Sequence, residues 1–440
     1  MTKYDNTQAS EWGFGTRSIH AGQTLDSDNS ARNQPIYMTT SYVFNDAQHA
    51  ADRFSLSDIG PIYTRLANPT QQALEDRLAS LEGGVAAVTF ASGMAAETAA
   101  ITNLASAGDH IVTSPRLYGG TETLFQVTLK RYGIDVTFVE NPDDPESWQA
   151  AVQDNTRAFY GETFGNPIAD ILDIPAVAEV AHRNSVPLIV DNTIATAALV
   201  KPLELGADIV VASTTKFYTG NGAAIGGVIV DGGTFDWTVE RDGQPVFAGF
   251  VTPDPAYHGL KYADLGAPAF AIKARAGILR DTGAAISPFN AWVALQGLDT
   301  LGLRVERHNQ NAQRVAEFLA ANEKVSKVNF AGLPDSPYFA TKEKLGIPYT
   351  GAVLSFDIAG DENDRTKAWA FIDALKLHSN LANVGDVRSL VVHPASTTHS
   401  QSDEAGLKRA GITQATVRLS VGIEDIDDII ADLERGFAAI

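Results

Sequence analysis

Residues 209–230 read IVVASTTKFYTGNGAAIGGVIV, two short apolar runs on either side of a polar, glycine-rich loop. The runs at 209–212 and 226–230 are apolar throughout, which suits strands buried on both faces of a covered sheet better than strands that alternate between core and water. Outward from this pair, from about Pro69 to Val230, β-rich runs alternate with longer helical stretches, the pattern of an α/β sheet with helices on both faces. Further strands are predicted at 86–90, 110–113, 135–139, 158–161 and 188–190. Between them Leu74, Leu78 and Leu81, and later Ile174, Val177 and Val180, recur at helical spacing.

Residues 231–282 are rich in Gly, Pro and aromatics and show little periodicity. They are read as a long ordered excursion, because so many aromatic residues do not suit a disordered linker. A division near Ala285 then separates a large unit, 69–285, from a smaller α+β unit, 286–440. In the latter a helical pattern over 288–322 precedes strands at 325–330, 352–357, 389–392 and 416–421 and helices at 367–375 and 426–437. Residues 1–68, with many turn formers and few periodic runs, are expected to form an arm packed on another subunit.

Composition removes several classes of function. With 33 Lys+Arg against 53 Asp+Glu the chain carries a net charge of -20, which repels phosphate backbones and anionic lipid headgroups, so no nucleic acid and no membrane partner is expected. Cysteine is absent, which excludes disulfides, thiolate metal sites and a cysteine nucleophile. The first residues, MTKYDNTQASEWGFGT, lack the apolar core of a leader, and no run is long enough to span a bilayer; a soluble, cytoplasmic protein is expected. Of the nine histidines, His393 and His399 lie six apart, outside helical ligand spacing, and are read as residues near a substrate wall; no metal is expected.

A covered α/β sheet binds ligands beyond the carboxyl ends of its strands, and Glu162, Asp191 and the run from Ser213 to Lys216 all follow predicted strands. A lysine desolvated there loses its proton readily, as a Schiff-base nucleophile must, although position alone leaves an exposed loop lysine as an equal alternative. Asp191, 25 residues earlier, is either an N-cap or a carboxylate able to keep a cofactor's pyridinium nitrogen protonated. Ser92-Gly93-Met94 stands between a strand and an Ala-rich helix. It is either an ordinary capped turn or an anion site built from helix-start N–H groups, to which Ser213 and Thr215 could add hydroxyls. Gly220-Asn221-Gly222 resembles a dinucleotide loop but is followed by a strand, where that fingerprint requires a helix.

In chain order, YTRLANPT (63–70), ASGMAAE (91–97), SPRLYGGTETLF (114–125), ETFGNP (162–167), DNTIAT (191–196), STTKFYTGNG (213–222), SLVVHPASTTHSQ (389–401) and VRLSVGIED (417–425) resemble the Cys/Met-metabolism family of fold-type I pyridoxal-phosphate (PLP) enzymes. The resemblance implies an α/β, aspartate aminotransferase-like fold with a large, mostly parallel sheet and a smaller C-terminal α+β domain. It implies Lys216 as Schiff-base lysine, Asp191 as pyridinium partner, Tyr118 stacked on the ring and acting near the leaving group, and Asn166 near the phenolic oxygen. Ser92, Gly93, Met94, Ser213 and Thr215 would hold the phosphate. Tyr63 and Arg65 would reach the phosphate of the neighbouring subunit, Tyr63 also facing substrate. Arg418, helped by Ser389, would clamp the substrate α-carboxylate.

Arg388 before Ser389, where cystathionine synthases and lyases usually carry glutamate, and the length of 231–282 resemble the branch that acts on O-acetylhomoserine with sulfide or a small thiol. The implied reaction is a γ-replacement giving homocysteine for methionine biosynthesis, in a homotetramer of two active dimers. The alternative is cystathionine γ-synthase or γ-lyase activity on the same scaffold.

Overall fold

The computed structural model describes residues 11–440 apart from 24, 25, 27, 28, 56, 59, 401 and 402. Parts of the predicted arm 1–68, and Gln401 at the end of the 389–401 motif, therefore lie outside the described residues.

Seven strands, β1 (Ala86–Phe90), β2 (His110–Thr113), β3 (Asp135–Phe138), β4 (Thr156–Glu162), β5 (Leu188–Asp191), β6 (Ile209–Ala212) and β7 (Gly227–Asp231), form one sheet in the order β1-β7-β6-β5-β4-β2-β3. The pairs β2–β3, β2–β4, β4–β5 and β5–β6 are parallel. Strand β7 is antiparallel to β1 and β6. The connection from β6 to β7 contains no crossover helix, so the chain returns beside β6 in the opposite direction.

The unbroken apolar runs follow from two-sided burial. Ile189, Ile209 and Val211 pack with Ala96, Ala100 and Ile101 of the helix Gly93–Leu104. Their neighbours Val210 and Ala212 face Leu74, Leu78 and Leu81 of the helix Pro69–Glu82. Alternate side chains thus enter two different cores, and both must be apolar.

The second sheet runs Val325–Asn329, Val353–Ile358, Thr416–Ser420, Leu390–Val392 and Ser379–Asn380, with only the last pair parallel. Helices Leu301–Ala320, Thr366–Ala374 and Ile426–Ala438 bury its apolar face, where Phe371 meets Phe356 at 5.5 Å and Phe437 at 4.8 Å between ring centroids. The fold is the expected α/β class: a large, mostly parallel sheet with a smaller C-terminal α+β unit.

Two expectations change. The helical pattern over 288–322 is two helices, Pro288–Leu298 and Leu301–Ala320, broken at Asp299, whose Oδ1 lies 2.8 Å from Arg77 Nη1. The excursion 231–282 ends in continuous helical structure: Ala269–Lys273, a π turn Ala274–Leu279, then Arg280–Thr282. The wide π turn interrupts the 3.6-residue repeat, which is why no period is visible there. The aromatic content has a physical reason as well, since Trp237, Phe250 and Phe270 form one cluster, with Trp237 at 4.4 Å from Phe250 and 5.4 Å from Phe270 between ring centroids.

Within 1–68, the helix Phe14–His20 packs on its own chain, with Arg17 Nη1 donating to Ser80 O at 2.6 Å. Further along, Met38, Val43, Phe54 and Tyr63 are exposed. Among the described residues no helix is long and apolar enough to cross a membrane.

Candidate active site

The parallel register sets Glu162 beside Asp191, and Asp191 beside Val211, so three carboxyl ends form one level edge. A cavity of about 290 Å³ opens above that edge, and Asp191, Lys216, Tyr118, Asn166, Ser92, Gly93, Met94, Ser213, Thr215 and Arg418 all line it. Residues up to 326 positions apart in sequence therefore share one pocket.

At one end stands the start of the helix Gly93–Leu104. Ser92 is in extended conformation, and its Oγ accepts from Ala95 N–H at 3.1 Å, which leaves the hydroxyl proton free for a ligand. A Cβ on Gly93 would stand 2.7 Å from Ser213 Cβ, so only glycine lets the Ser213 turn approach the helix start. Thr215 exchanges hydrogen bonds with the backbone of Gly226, at 3.2 Å as donor and 3.1 Å as acceptor. The result is a concave site at a helix N-terminus with the Ser92 hydroxyl proton free, suited to an anion such as a phosphate monoester.

Asp191 takes Thr193 N–H on Oδ1 at 2.8 Å and the Tyr160 hydroxyl on Oδ2 at 3.5 Å. Burial raises its pKa, and the Thr193 bonds work in the opposite direction. A cationic ring nitrogen placed there would act against the effect of burial.

Lys216 follows β6 by a single tight turn, with its Nζ donating to Asn383 Oδ1 at 2.5 Å. Burial, seconded by the Arg418 cation, lowers its pKa to about 8, the direction a nucleophilic amine needs. The loop is fixed from outside. Arg304, on the helix Leu301–Ala320, donates to the carbonyls of Phe217 (2.8 Å), Tyr218 (3.1 Å) and Gly297 (2.8 Å).

Arg418 is 4% exposed, on a central strand of the second sheet opposite Ser355 and Val392. It donates to Asn166 Oδ1 at 3.2 Å and Asn383 O at 3.0 Å, an arrangement that aims its fork into the pocket.

Not every expected residue is brought together. Ser389 is fully buried, but its hydroxyl donates to Glu424 Oε2 at 2.9 Å and accepts Gly422 N–H at 2.9 Å, so it faces away from the pocket. Glu424, 35 residues later, claims the hydroxyl that was expected to help Arg418. Tyr63 and Arg65 are both exposed and lie outside this chain's cavity, with the guanidinium over the Tyr63 ring at 5.2 Å. His393 is bonded to Ser396 Oγ at 2.7 Å and Gln414 O at 2.9 Å and is structural. His399 is buried beside Thr398 and forms part of a neighbouring cavity with Tyr118.

Asn383, Glu97, Thr193 and Thr398 line the pocket without having been foreseen. Glu97 alone left a signal in the sequence, as the sole charged residue in GMAAETAAITNL.

Comparison with known proteins bears on this geometry. The family model described as Cys/Met metabolism PLP-dependent enzyme matches residues 15–438. The chain is 75% identical over 440 residues, all of both chains, to an O-acetyl-L-homoserine sulfhydrylase of Corynebacterium glutamicum. It is 50% identical over 437 residues to one of Leptospira meyeri, covering 97% of this chain and 96% of the relative. A crystal structure of a putative O-acetylhomoserine (thiol)-lyase from Campylobacter jejuni, solved with N'-pyridoxyl-lysine-5'-monophosphate, superposes with a TM-score of 0.92 at 39% identity. It covers 97% of this chain and 100% of that one.

Proposed function

The chain belongs to the Cys/Met metabolism family of PLP-dependent enzymes, and from that premise we infer that it replaces the acetoxy group of O-acetyl-L-homoserine with sulfide, giving L-homocysteine and acetate. It is a PLP-dependent transferase of methionine biosynthesis. The observation that carries the reading is the convergence of Lys216, Asp191 and Arg418 on one cavity at the carboxyl edge of the sheet.

The residues present fit the cofactor. The space kept open at Gly93 and the donors of Ser92, Met94, Ser213 and Thr215 would hold the phosphate. Asp191 would keep the ring nitrogen protonated, Asn166 would lie near the ring oxygen, Tyr118 would stack on the ring, and Lys216 would be the covalent anchor. Bound PLP supplies an electron sink for charge developing at the substrate α-carbon.

Arg418 would bind the substrate α-carboxylate through two parallel N–H donors, which fixes the α-hydrogen relative to Lys216. Lys216 Nζ, released when substrate amine takes its place, would carry protons from the α-carbon and then from the β-carbon. The Tyr118 hydroxyl would hold a proton near the departing acetate oxygen. Hydrosulfide would then add at the γ-carbon, and the protons held by Lys216 would return to the β-carbon and then to the α-carbon, giving homocysteine.

The site is completed in this reading by Tyr63 and Arg65 of a neighbouring copy. The exposed Met38, Val43 and Phe54 on the same segment support this, since they are apolar surface that a second copy would cover. The assembly is then a homotetramer of two active dimers, in the cytoplasm.

Product analysis with O-acetyl-L-homoserine and sulfide, cysteine or methanethiol tests the reaction. Homocysteine from sulfide is expected as the main product; cystathionine in its place overturns the assignment in favour of a synthase or lyase. Lys216→Ala is expected to lose both the visible absorbance of bound cofactor and turnover.

A further inference from the structure

Two carboxylates in the pocket have no part in the reaction derived above. Glu162 ends β4 in register with Asp191, and Glu97 lies one turn into the helix Gly93–Leu104, 2% exposed. Both reach the same short turn. Tyr118 N–H donates to Glu162 Oε1 at 2.5 Å, and the Thr121 hydroxyl donates to Glu97 Oε2 at 3.0 Å. Glu97 Oε1 is buried with no partner.

The turn they hold, Tyr118-Gly119-Gly120-Thr121, begins the helix Gly119–Thr123, and no side chain caps its start. The Tyr118 ring folds back over it so closely that a Cβ on Gly120 would stand 2.4 Å from Tyr118 Cε1. Tyr118 is 46% exposed, so the turn under its ring is a main support for the ring's angle. Its direction comes from the backbone, and the backbone is gripped from the pocket floor.

Burial raises the pKa of Glu97 and of Glu162 well above the carboxylate range, and the charge of Asp191 adds to both. Tyr160, whose hydroxyl faces the same group, is raised by the same causes. A protonated carboxyl still accepts through its carbonyl oxygen, so the grip on Tyr118 does not require charge.

We propose that Glu162, seconded by Glu97, is a positioning residue that fixes how Tyr118 presents its ring to the cofactor site by holding the Tyr118–Thr121 turn from below. The proposal rests on the reading of Tyr118 as the ring-stacking residue.

The test is a double-mutant cycle on the full chain, read as the affinity of the apoprotein for PLP and as visible circular dichroism of the bound cofactor. Tyr118→Ala and Glu162→Ala are each expected to weaken PLP binding by roughly 3- to 10-fold and to alter the dichroism, with the double variant no worse than Tyr118→Ala. Glu162→Gln, which keeps a carbonyl oxygen at the same place, is expected to retain both signals; a loss as large as that of Glu162→Ala overturns the proposal. Losses that multiply in the double variant overturn the grip and leave the role of Tyr118 standing. Unchanged affinity and dichroism in Tyr118→Ala remove that role and the proposal with it. If Glu162→Ala does not fold, Thr121→Val reads the other half: a loss that disappears in the Tyr118→Ala background supports the proposal, and an equal loss in both backgrounds overturns it.

Discussion

The amine of Lys216 stands 2.5 Å from the side-chain carbonyl of Asn383, a bond between the loop after β6 and the segment joining the strands Ser379–Asn380 and Leu390–Val392 of the second sheet. It keeps the amine in the pocket before cofactor arrives, where burial and Arg418 hold its pKa at about 8. Attack on an aldehyde needs the neutral amine. The rate of PLP attachment to apoprotein should therefore rise about tenfold per pH unit below pH ~8 and level off above it. Rapid-mixing absorbance across pH checks this. A rate still climbing near pH ~10, as for an ordinary lysine, would contradict the depressed value.

Arg418→Lys retains the charge but loses the planar fork that Asn166 and Asn383 aim into the pocket. One charge-assisted hydrogen bond to substrate is lost, equivalent to about 1.5–3 kcal/mol, so kcat/KM should fall about 10- to 150-fold, mostly through KM. Steady-state kinetics on O-acetyl-L-homoserine decide it. A fall in kcat at unchanged KM would place the side chain elsewhere in the reaction.

In Gly93→Ala the new methyl would stand 2.7 Å from Ser213 Cβ. The Ser213 turn must retreat from the helix start, and the anion site widens. PLP affinity should drop at least about tenfold, the scale of one charge-assisted hydrogen bond. The melting temperature of the apoprotein should change little by comparison; equal losses in both would indicate general damage instead of a local one.

Below the sheet, Glu82 is fully buried and accepts from the Tyr218 hydroxyl and, on both oxygens at 3.2 Å, from Asn192 Nδ2. Burial raises its pKa from 4.5 to about 7, against the Tyr218 and Asn192 bonds, which lower it. Between those two pH values the folded chain holds a proton that the unfolded chain has lost, so this group's contribution to stability falls as pH rises through that window. Glu82→Gln cannot titrate. Relative to that variant, wild type should lose about 2–3 kcal/mol of unfolding free energy between pH ~5 and ~8, measured by denaturant titration. A constant difference across pH would show that Glu82 does not change ionisation there.

The strands around 209–230 were legible because burial on both faces leaves an apolar run that no other local structure explains. Lys216 and Asp191 were legible for a related reason: polar groups at the ends of such runs stand out against them. Arg418 sits within an apolar strand and needed the motif resemblance to be seen at all. What stayed hidden depends on packing between distant segments. Nothing near Ser389 announces that Glu424 will take its hydroxyl, and nothing near Asn383 announces Lys216, 167 residues away. The helix over 269–282 was hidden differently, since its π turn breaks the repeat by which helices are recognised.

Two hydrogen bonds from Arg304, to the carbonyls of Phe217 and Tyr218, tie the lysine loop to the helix Leu301–Ala320. Displacement of that helix would remove both contacts from the loop that carries Lys216. A ligand held by this loop is thereby linked to folding. Each tenfold rise in free PLP above its dissociation constant should then stabilise the folded chain by about 1.4 kcal/mol.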